Sequence, residues 1–272
     1  MTIPEIVDSH CHLDVDKFSE DVDEVVARAG RAGVGRMITI CTKVSEFERV
    51  LSIAERYDNI WCSLGIHPHH AGTEDAVSVE RLIELSRHPK VVGIGETGLD
   101  FFYDKAPRDI QEAYFRTHIE AARETGLPLI VHTRDAESDT ARILEEEYAR
   151  GPFTGELHCF TSSQELAECA VRLGMMIAFS GIVTFKNAED LRETAKALPL
   201  ESILVETDSP FCAPVPMRGK RCEPAFVVHT ATALAELRGI PLSEFAAATT
   251  ENFERLFPKV SAAQNNREGA LA

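Results

Sequence analysis

The chain has neither a long apolar run nor a basic amino terminus. Its longest uninterrupted run of apolar residues is the five-residue Met175–Phe179, whereas a helix that crosses a membrane needs about 20. No Lys or Arg precedes Lys17, and no apolar segment follows it, so the sequence predicts no signal peptide. We therefore expect no membrane-spanning helix and no membrane partner.

Positive charge is also scarce. The chain has 28 Lys and Arg residues against 44 Asp and Glu residues, which gives a formal net charge of −16. Proteins that coat nucleic acid do so through many basic contacts that release counterions, and this composition argues against that class. It leaves room for a small site where bound metal ions supply the local positive charge.

Paired cysteine motifs are missing. The chain has seven cysteines, which is an odd number, and it contains no C-x-x-C motif. This pattern favours reduced thiols over a disulfide framework or a zinc ribbon, and it predicts a cytoplasmic location. It gives no reason to expect disulfide cross-links in the fold.

No Ser/Gly-rich linker or low-complexity stretch divides the 272 residues. Single α/β barrel domains often reach about 250 residues. We therefore expect one domain over residues 1–260. The small and polar residues 261–272 are expected to form a flexible tail.

Eight short apolar or β-branched runs alternate with segments of helical periodicity. For example, Leu166, Cys169, Ala170 and Leu173 follow the i, i+3, i+4, i+7 spacing of a helix face. Eight strand–helix units are typical of a parallel sheet, and they predict a TIM-type (β/α)8 barrel. A doubly wound open sheet is the alternative. The runs are Ile6–His12, Arg36–Cys41, Ile60–Ile66, Val91–Gly95, Pro128–Thr133, Thr154–Cys159, Met175–Ser180 and Ser202–Thr207.

Residues of the types that bind metals stand at the ends of five runs. They are His10, His12, Glu96, His132, His158 and Asp208. Taken singly, each has an ordinary explanation as a core, capping or turn residue. In a barrel, however, all five ends face the carboxyl-terminal rim, where such enzymes place their chemistry. Four imidazoles and two carboxylates can bind two divalent ions about 3.5–4 Å apart, an arrangement that stabilises both the attacking and the leaving oxygen of a displacement.

The neighbours of these residues suggest supporting roles. His10 and His12 point the same way because side chains alternate along a strand. Asp8 shares their face and could orient one of the ligands through a hydrogen bond. Cys11 and Cys159 are expected to point into the barrel wall and are not assigned to metal.

Seven blocks between residues 8 and 224 form a recognisable series. They are DSHCHLD (8–14), GIHPH (65–69), GIGETGLDFF (93–102), VHTRDA (131–136), LHCFTSS (157–163), ETDSPFCAP (206–214) and RGKRCEP (218–224). Their order and content resemble the TatD family of metal-dependent deoxyribonucleases, within the amidohydrolase-like barrels. Two positions depart from the family pattern, Ser162 in place of Gly and Cys222 in place of Asn. The first concerns loop shape, and the second puts a hydrogen bond at that position in doubt.

The resemblance implies a role for each candidate ligand. His10, His12, Glu96 and Asp208 would bind a first divalent ion. His132 and His158 would complete a second site, with Glu96 bridging the two ions. Many related barrels bridge their metals with a carbamylated lysine, but no Lys lies between Val91 and Tyr103. The resemblance suggests activity with Mg²⁺, while imidazole ligands also suit Zn²⁺ or Mn²⁺.

Several residues near the predicted rim could contact a substrate. Arg134 and the basic cluster Arg218, Lys220 and Arg221 could hold phosphate groups, although surface ion pairs or solvated charges explain them equally well. His67 follows the third run and lies near the substrate in the family, or else on a loop surface. The aromatic residues Phe101, Phe102 and Tyr103 could stack on bases, with at least one of them in the core.

The residues and the resemblance together predict a metal-dependent hydrolase of phosphodiester bonds. The expected activity is 3′–5′ exonuclease on the ends of single-stranded DNA, or RNA, by a monomeric protein with Asp208 as general base and Glu96 as bridging carboxylate. One rival is hydrolysis of an amide, lactone or aminoacyl-ester bond, including D-aminoacyl-tRNA. The other is a non-catalytic scaffold or adaptor, which would be expected to have lost at least one of the six ligands.

Overall fold

The computed structural model describes residues 5–261, and within them eight parallel strands form one sheet in sequence order. The strands are β1 (Ile6–Cys11), β2 (Val34–Thr39), β3 (Ile60–Leu64), β4 (Val91–Asp100), β5 (Leu129–Arg134), β6 (Gly155–Leu157), β7 (Met176–Phe179) and β8 (Ile203–Val205). Each strand pairs with the next. The structure thus confirms the predicted TIM-type barrel rather than the alternative, a doubly wound open sheet. Most of the predicted tail, residues 262–272, lies outside the described residues.

Residues just beyond β8 close the barrel against β1. The backbone N–H of His12 donates to the carbonyl of Ser209 at 2.8 Å, and that of Asp208 donates to the carbonyl of His10 at 2.9 Å. Buried Asp8 accepts two further hydrogen bonds from Thr207, at 2.8 Å from its N–H and 2.6 Å from its hydroxyl. These contacts between β1 and the loop after β8, called the seam below, place Asp208 next to the histidines of β1.

Helices cover the outside of the barrel. They are α1 (Val22–Arg31), α2 (Phe47–Arg56), α3 (Val79–Ser86), α4 (Arg108–Thr125), α5 (Glu137–Arg150), α6 (Gln164–Arg172), α7 (Glu189–Ala197), α8 (Val227–Arg238) and α9 (Leu242–Leu256). The face predicted from helical spacing in α6 is buried at Leu166, Cys169 and Ala170. Among the described residues, no helix is both long and apolar enough to cross a membrane.

The interior has two apolar layers. The larger lies between the strands and the surrounding helices. The smaller joins inward-facing residues such as Ile38, Val92 and Ile130 to Phe253 and Phe257, at and just beyond the end of α9. The inside of the barrel is therefore packed with side chains rather than open, as expected for eight strands.

The strand ends differ from the predicted bounds by one or two residues at most places, and by more at β4. That strand continues to Asp100, past the predicted end at Gly95. Its register against β5 shifts between Gly95 and Thr97. At Gly98 a Cβ atom would lie 2.0 Å from the carbonyl oxygen of His132, so only glycine allows the two strands to approach so closely. Conversely, β6 and β8 have only three residues each, which places His158 and Asp208 in the loops after them.

Candidate metal centre

Glu96 lies at the centre of the candidate site and is almost fully buried. Its two carboxylate oxygens face different groups of histidines. Oε2 lies 3.5 Å from His10 Nε2 and 4.0 Å from His12 Nε2. Oε1 lies 3.2 Å from His67 Nε2, 3.1 Å from His132 Nδ1 and 2.8 Å from His158 Nε2.

Asp208 completes the group around His10 and His12. Its Oδ1 atom lies 3.3 Å from His12 Nε2 and 3.9 Å from His10 Nε2. Burial opposes ionisation of this carboxyl group, but its hydrogen bond and charge interaction with His12 prevail and lower its pKa to about 2. Asp208 is therefore a carboxylate throughout the neutral pH range. All six predicted ligand residues thus meet at one rim of the barrel.

The donor set fits divalent cations. Both ring nitrogens of His10 and the Oε2 atom of Glu96 are buried without a hydrogen-bond partner among the described residues. Buried polar atoms are rarely left in that state. Imidazole nitrogens beside carboxylate oxygens are ligands of Zn²⁺ and Mn²⁺, and carboxylates also suit Mg²⁺. A cation between His10 Nε2 and Glu96 Oε2, which lie 3.5 Å apart, would satisfy both of these atoms.

His67 belongs to the centre itself. Together with Glu96 and His132 it forms one of the groups whose ligand atoms lie within 4.8 Å of one another. Burial lowers the pKa of His67 to about 3, so its imidazole is neutral at neutral pH, the form that binds metals. The sequence predicted this residue near the substrate, and the structure places it among the candidate ligands.

Asp100, which the sequence analysis missed, supports the histidines of the second group. Its Oδ2 atom lies 2.8 Å from His69 Nε2 and 3.1 Å from His132 Nε2. Burial raises the pKa of Asp100, but the hydrogen bonds with His132 and His69 outweigh it, and the net shift is downward. A carboxylate that accepts from one ring nitrogen of a histidine leaves the other free for a metal. Asp100 and Glu96 are both on β4, so the true length of that strand was the missing signal.

Glu206 is a second carboxylate that the sequence analysis did not single out. It is fully buried, accepts a hydrogen bond from the N–H of Cys159 at 2.7 Å, and lies 3.5 Å from His158 Nδ1. Asp8, by contrast, contacts the backbone beside two candidate ligands rather than a ligand side chain. Its carboxylate accepts from Thr207 and from the backbone of His10 at 3.4 Å, and burial raises its pKa to about 8. Its role is to hold the turn that carries Asp208.

The centre opens into a cavity of about 790 Å³. Arg134 lies at its wall, with its guanidinium carbon 4.1 Å from the centre of the Phe102 ring and 4.8 Å from that of Tyr103. Phe102 and Tyr103 are 53% and 50% exposed. Phe101 instead packs against the core, as expected for at least one of the three. A partly exposed arginine and two half-exposed aromatic rings therefore adjoin the metal-binding residues.

The basic cluster after β8 does not reach this wall. Arg221 makes a bidentate ion pair with Asp21, at 2.8 and 2.7 Å. Arg218 lies with its guanidinium carbon 3.6 Å from the centre of the Phe185 ring. Neither is among the described residues that line the cavity, and Lys220 is exposed outside it. The phosphate contacts predicted for this cluster therefore stay a prediction, and they would have to lie outside the cavity, with the charge of Arg221 already matched by Asp21.

The two cysteines beside the ligands behave differently. Cys11 points into the barrel wall as expected and donates to the carbonyl of Ile38 at 3.3 Å. Cys159 does not, because β6 ends at Leu157 and Cys159 takes a left-handed backbone conformation with φ 41°. Its side chain faces the cavity, where its Sγ atom lies 3.9 Å from that of Cys212. Cys222 is buried against Ala213.

Comparisons with known proteins agree with this geometry. The family described as "TatD related DNase" matches residues 7–258. The chain is 44% identical over 255 residues to the metal-dependent hydrolase YcfH of Escherichia coli, covering 93% of this chain and 95% of that one. It is 41% identical over 252 residues to the metal-dependent hydrolase YabD of Bacillus subtilis, covering 93% and 98%.

A solved structure extends the agreement to the fold. The crystal structure of the Escherichia coli TatD homologue YjjV matches with a TM-score of 0.87 at 34% identity, covering 93% of this chain and 98% of that one. A TatD-family hydrolase from Entamoeba histolytica shares the fold with a TM-score of 0.83 at 22% identity, covering 94% and 99%. The barrel, its histidine and carboxylate centre and these relatives together place the chain in the TatD family of metal-dependent hydrolases.

Proposed function

We propose that the protein hydrolyses phosphodiester bonds with two divalent cations bridged by Glu96. The observation that carries this proposal is the division of Glu96 between two histidine groups. One oxygen lies 3.5 Å from His10, and the other lies 2.8 Å from His158. A carboxylate with a donor group on each side has the geometry of a bridging ligand.

The residues divide into two sets around that bridge. His10, His12 and Asp208 would hold one ion, and His132 and His158 would hold the other, with His67 adjacent. Bound divalent cations polarise a phosphoryl oxygen and lower the pKa of the attacking water. The protein's own task is to hold these donors in a fixed orientation, and Asp100 does so for His132 by accepting a hydrogen bond at Nε2.

Asp208 is the residue proposed to accept the proton of the attacking water. It lies at the edge of the centre, is 14% exposed, and lines the cavity. Since its pKa is about 2, it is ionised at neutral pH and begins each cycle in the form that accepts a proton. The hydrogen bond from its backbone N–H to His10 holds the carboxylate beside the first strand.

The proposed substrate is the 3′ end of single-stranded DNA, with RNA as a second substrate. Arg134 can pair with a phosphate, and the half-exposed rings of Phe102 and Tyr103 offer base-stacking surfaces. The net charge of −16 disfavours a long duplex footprint. A narrow site that takes one strand end fits this charge, and we propose that the protein acts as a cytoplasmic monomer.

The test uses 5′-labelled single-stranded DNA of mixed sequence with the metal-free protein, to which Mg²⁺, Mn²⁺ or Zn²⁺ is added. A ladder that shortens from the 3′ end supports the proposal. Immediate release of the labelled 5′ nucleotide would show the opposite polarity, and random internal fragments would show an endonuclease. The same strand carrying a 3′ phosphate, a blunt duplex and an RNA of equal sequence define the substrate.

A parallel panel of amide, lactone and aminoacyl-ester substrates tests the rival chemistry. A cation at this centre could polarise a carbonyl oxygen as well as a phosphoryl oxygen. Turnover of one of these substrates, with no release of nucleotides under any metal, would overturn the nuclease proposal while leaving a metal-dependent hydrolase. Asp208→Asn, purified in the same way, serves as the matched control, because an activity that falls in this variant belongs to the metal centre and not to a contaminant.

A further inference from the structure

Two thiols and a carboxylate meet at the cavity wall beside the metal centre. Cys159 follows β6, Cys212 lies in the loop after β8, and their Sγ atoms are 3.9 Å apart. The Sγ atom of Cys212 lies 3.5 Å from Asp208 Oδ2. The three ligand atoms all lie within 4.8 Å of one another.

These separations have the size of the edges of a metal coordination tetrahedron. With Zn–S bonds of about 2.3 Å and a Zn–O bond of about 2.0 Å, tetrahedral angles place two sulfurs about 3.8 Å apart and a sulfur and an oxygen about 3.5 Å apart. The observed distances of 3.9 and 3.5 Å match both edges. A disulfide would instead require the sulfurs to approach to about 2.05 Å.

The backbone at these three residues is unusual in the same way. Cys159, Asp208 and Cys212 all have left-handed conformations, with φ of 41°, 51° and 52°. Non-glycine residues adopt such angles at a cost, and they concentrate at functional sites. The N–H of Cys159 is also anchored to buried Glu206 at 2.7 Å, so its loop is fixed in the orientation that turns the thiol toward Cys212.

A fourth coordination position is accessible. Cys159, Asp208 and Cys212 all line the cavity, and both cysteines are partly exposed. A cation held by three protein ligands would therefore face solvent, as open zinc sites do. Thiolate ligands select soft cations such as Zn²⁺ over Mg²⁺.

We propose that Cys159, Cys212 and Asp208 Oδ2 form a binding site for one thiophilic divalent cation of the Zn²⁺ class, separate from the Glu96-bridged centre. On binding, each thiol releases its proton to solvent and two metal–sulfur bonds form, with no change of oxidation state. The site shares Asp208 with the centre through opposite oxygens, because Oδ1 faces His12 and Oδ2 faces Cys212.

This sharing has a functional consequence that rests on the proposed role of Asp208 as general base. A cation on Oδ2 would hold the carboxylate away from the attacking water. Excess Zn²⁺ or Cd²⁺ would then inhibit a Mg²⁺-supported reaction, and removal of the thiols would relieve the inhibition. The chain would thus sense soft metal ions at the same residue that serves its chemistry.

The binding test does not depend on activity. Cd²⁺ is titrated into the reduced protein in excess Mg²⁺ with a phosphine reductant, and the Cd–thiolate charge-transfer absorption is recorded. We expect one saturable site per chain. Cys212→Ser should lower the affinity of this site for Cd²⁺ by at least about 10-fold. Removing only a hydrogen-bond partner of a metal ligand already costs about 10–100-fold, and Cys212 is proposed as a ligand itself. Cys169→Ser is the matched control, since Cys169 lies on α6 outside the cavity, and it should titrate as the wild type does.

Two results would overturn the site. One is the absence of a thiolate absorption in the wild type, and the other is an unchanged titration in both Cys212→Ser and Cys159→Ala. Circular dichroism identifies a variant that fails to fold, and Cys212→Ala then replaces it. Inhibition is measured separately. If Cd²⁺ binds to the thiols without inhibiting, the cation site stands and the proposed role of Asp208 as base fails.

Discussion

The two halves of the metal centre are built in different ways. Around His132, the carboxylate of Asp100 accepts at the far ring nitrogen at 3.1 Å. Around His10, the far ring nitrogen has no hydrogen-bond partner among the described residues, and the ring is instead stacked on His158 with centroids 3.8 Å apart. The His10 half is therefore held by packing and by the backbone bonds that close the barrel, whereas the His132 half is held by hydrogen bonds to a carboxylate.

This difference predicts which substitutions should weaken metal binding in each half. Loss of a supporting carboxylate should loosen only the His132 half, because a histidine without its outer partner loses orientation and basicity. His10 has no such partner within residues 5–261, and its half should respond instead to Asp208 and to the backbone bonds between β1 and the loop after β8. Glu96 belongs to both halves.

The largest effect is expected from Glu96→Gln, which removes the charge that both halves share. Metal analysis should show weaker binding at both sites. Turnover should fall by more than about 10⁴-fold, beyond the range of a single general base. Glu24→Gln, at a surface position 78% exposed, is the control. Full affinity retained at either site would show that Glu96 does not bridge.

Asp208→Asn should have the next largest effect and should act on the rate. It keeps the shape of the side chain and one acceptor oxygen but can no longer take a proton. Single-turnover rates should fall by about 10²–10⁴-fold, while metal occupancy changes far less. His132→Ala provides the contrast, because it should lose one ion first and recover activity at high metal concentration. Near wild-type turnover in Asp208→Asn with both ions bound would show that another group accepts the proton of the attacking water.

Asp100→Asn separates the two halves most directly. The variant keeps the size of the side chain but loses the charge that faces His69 and His132. Affinity for one of the two ions should fall by about 10–100-fold, as measured by calorimetric titration, and the other should be unchanged. Asp104→Asn, an exposed neighbour, should alter neither. Equal weakening of both ions would contradict the division between the halves.

A smaller effect is expected at the cavity wall. Tyr103→Leu removes a half-exposed ring next to Arg134. Since stacking on one base contributes about 1–3 kcal/mol and this ring is half exposed, KM for single-stranded DNA should rise by about fivefold. The kcat value should stay the same. A change in kcat alone would place the ring in the chemistry rather than in binding.

The smallest effect is expected from Arg221→Gln. This residue pairs with Asp21, which also pairs with Arg28 at 3.2 Å, so one partner remains. Exposed ion pairs contribute about 0–1 kcal/mol, and KM should stay within about twofold of the wild type. A large rise in KM would instead support the phosphate-binding role that the sequence predicts for Arg221.

The sequence was most informative where local periodicity decides the geometry. The spacing of His10 and His12 along β1 and the ends of the parallel strands predict which residues meet at the rim. Asp100 was missed because β4 continues through glycines that also suit a turn. The partner of Arg221 lies 200 positions away at Asp21, and no local pattern indicates such a pairing.

The seam between β8 and β1 links the order of synthesis to the appearance of the site. A nascent chain that ends at Val205 contains five of the six predicted ligands but lacks Asp208 and the backbone bonds that close the barrel. These contacts join residues about 200 positions apart, and such distant contacts form late and slowly. The ribosome must therefore release nearly the whole barrel before the two halves of the centre can come together, and a product that ends at Val205 should lack the proposed two-ion site.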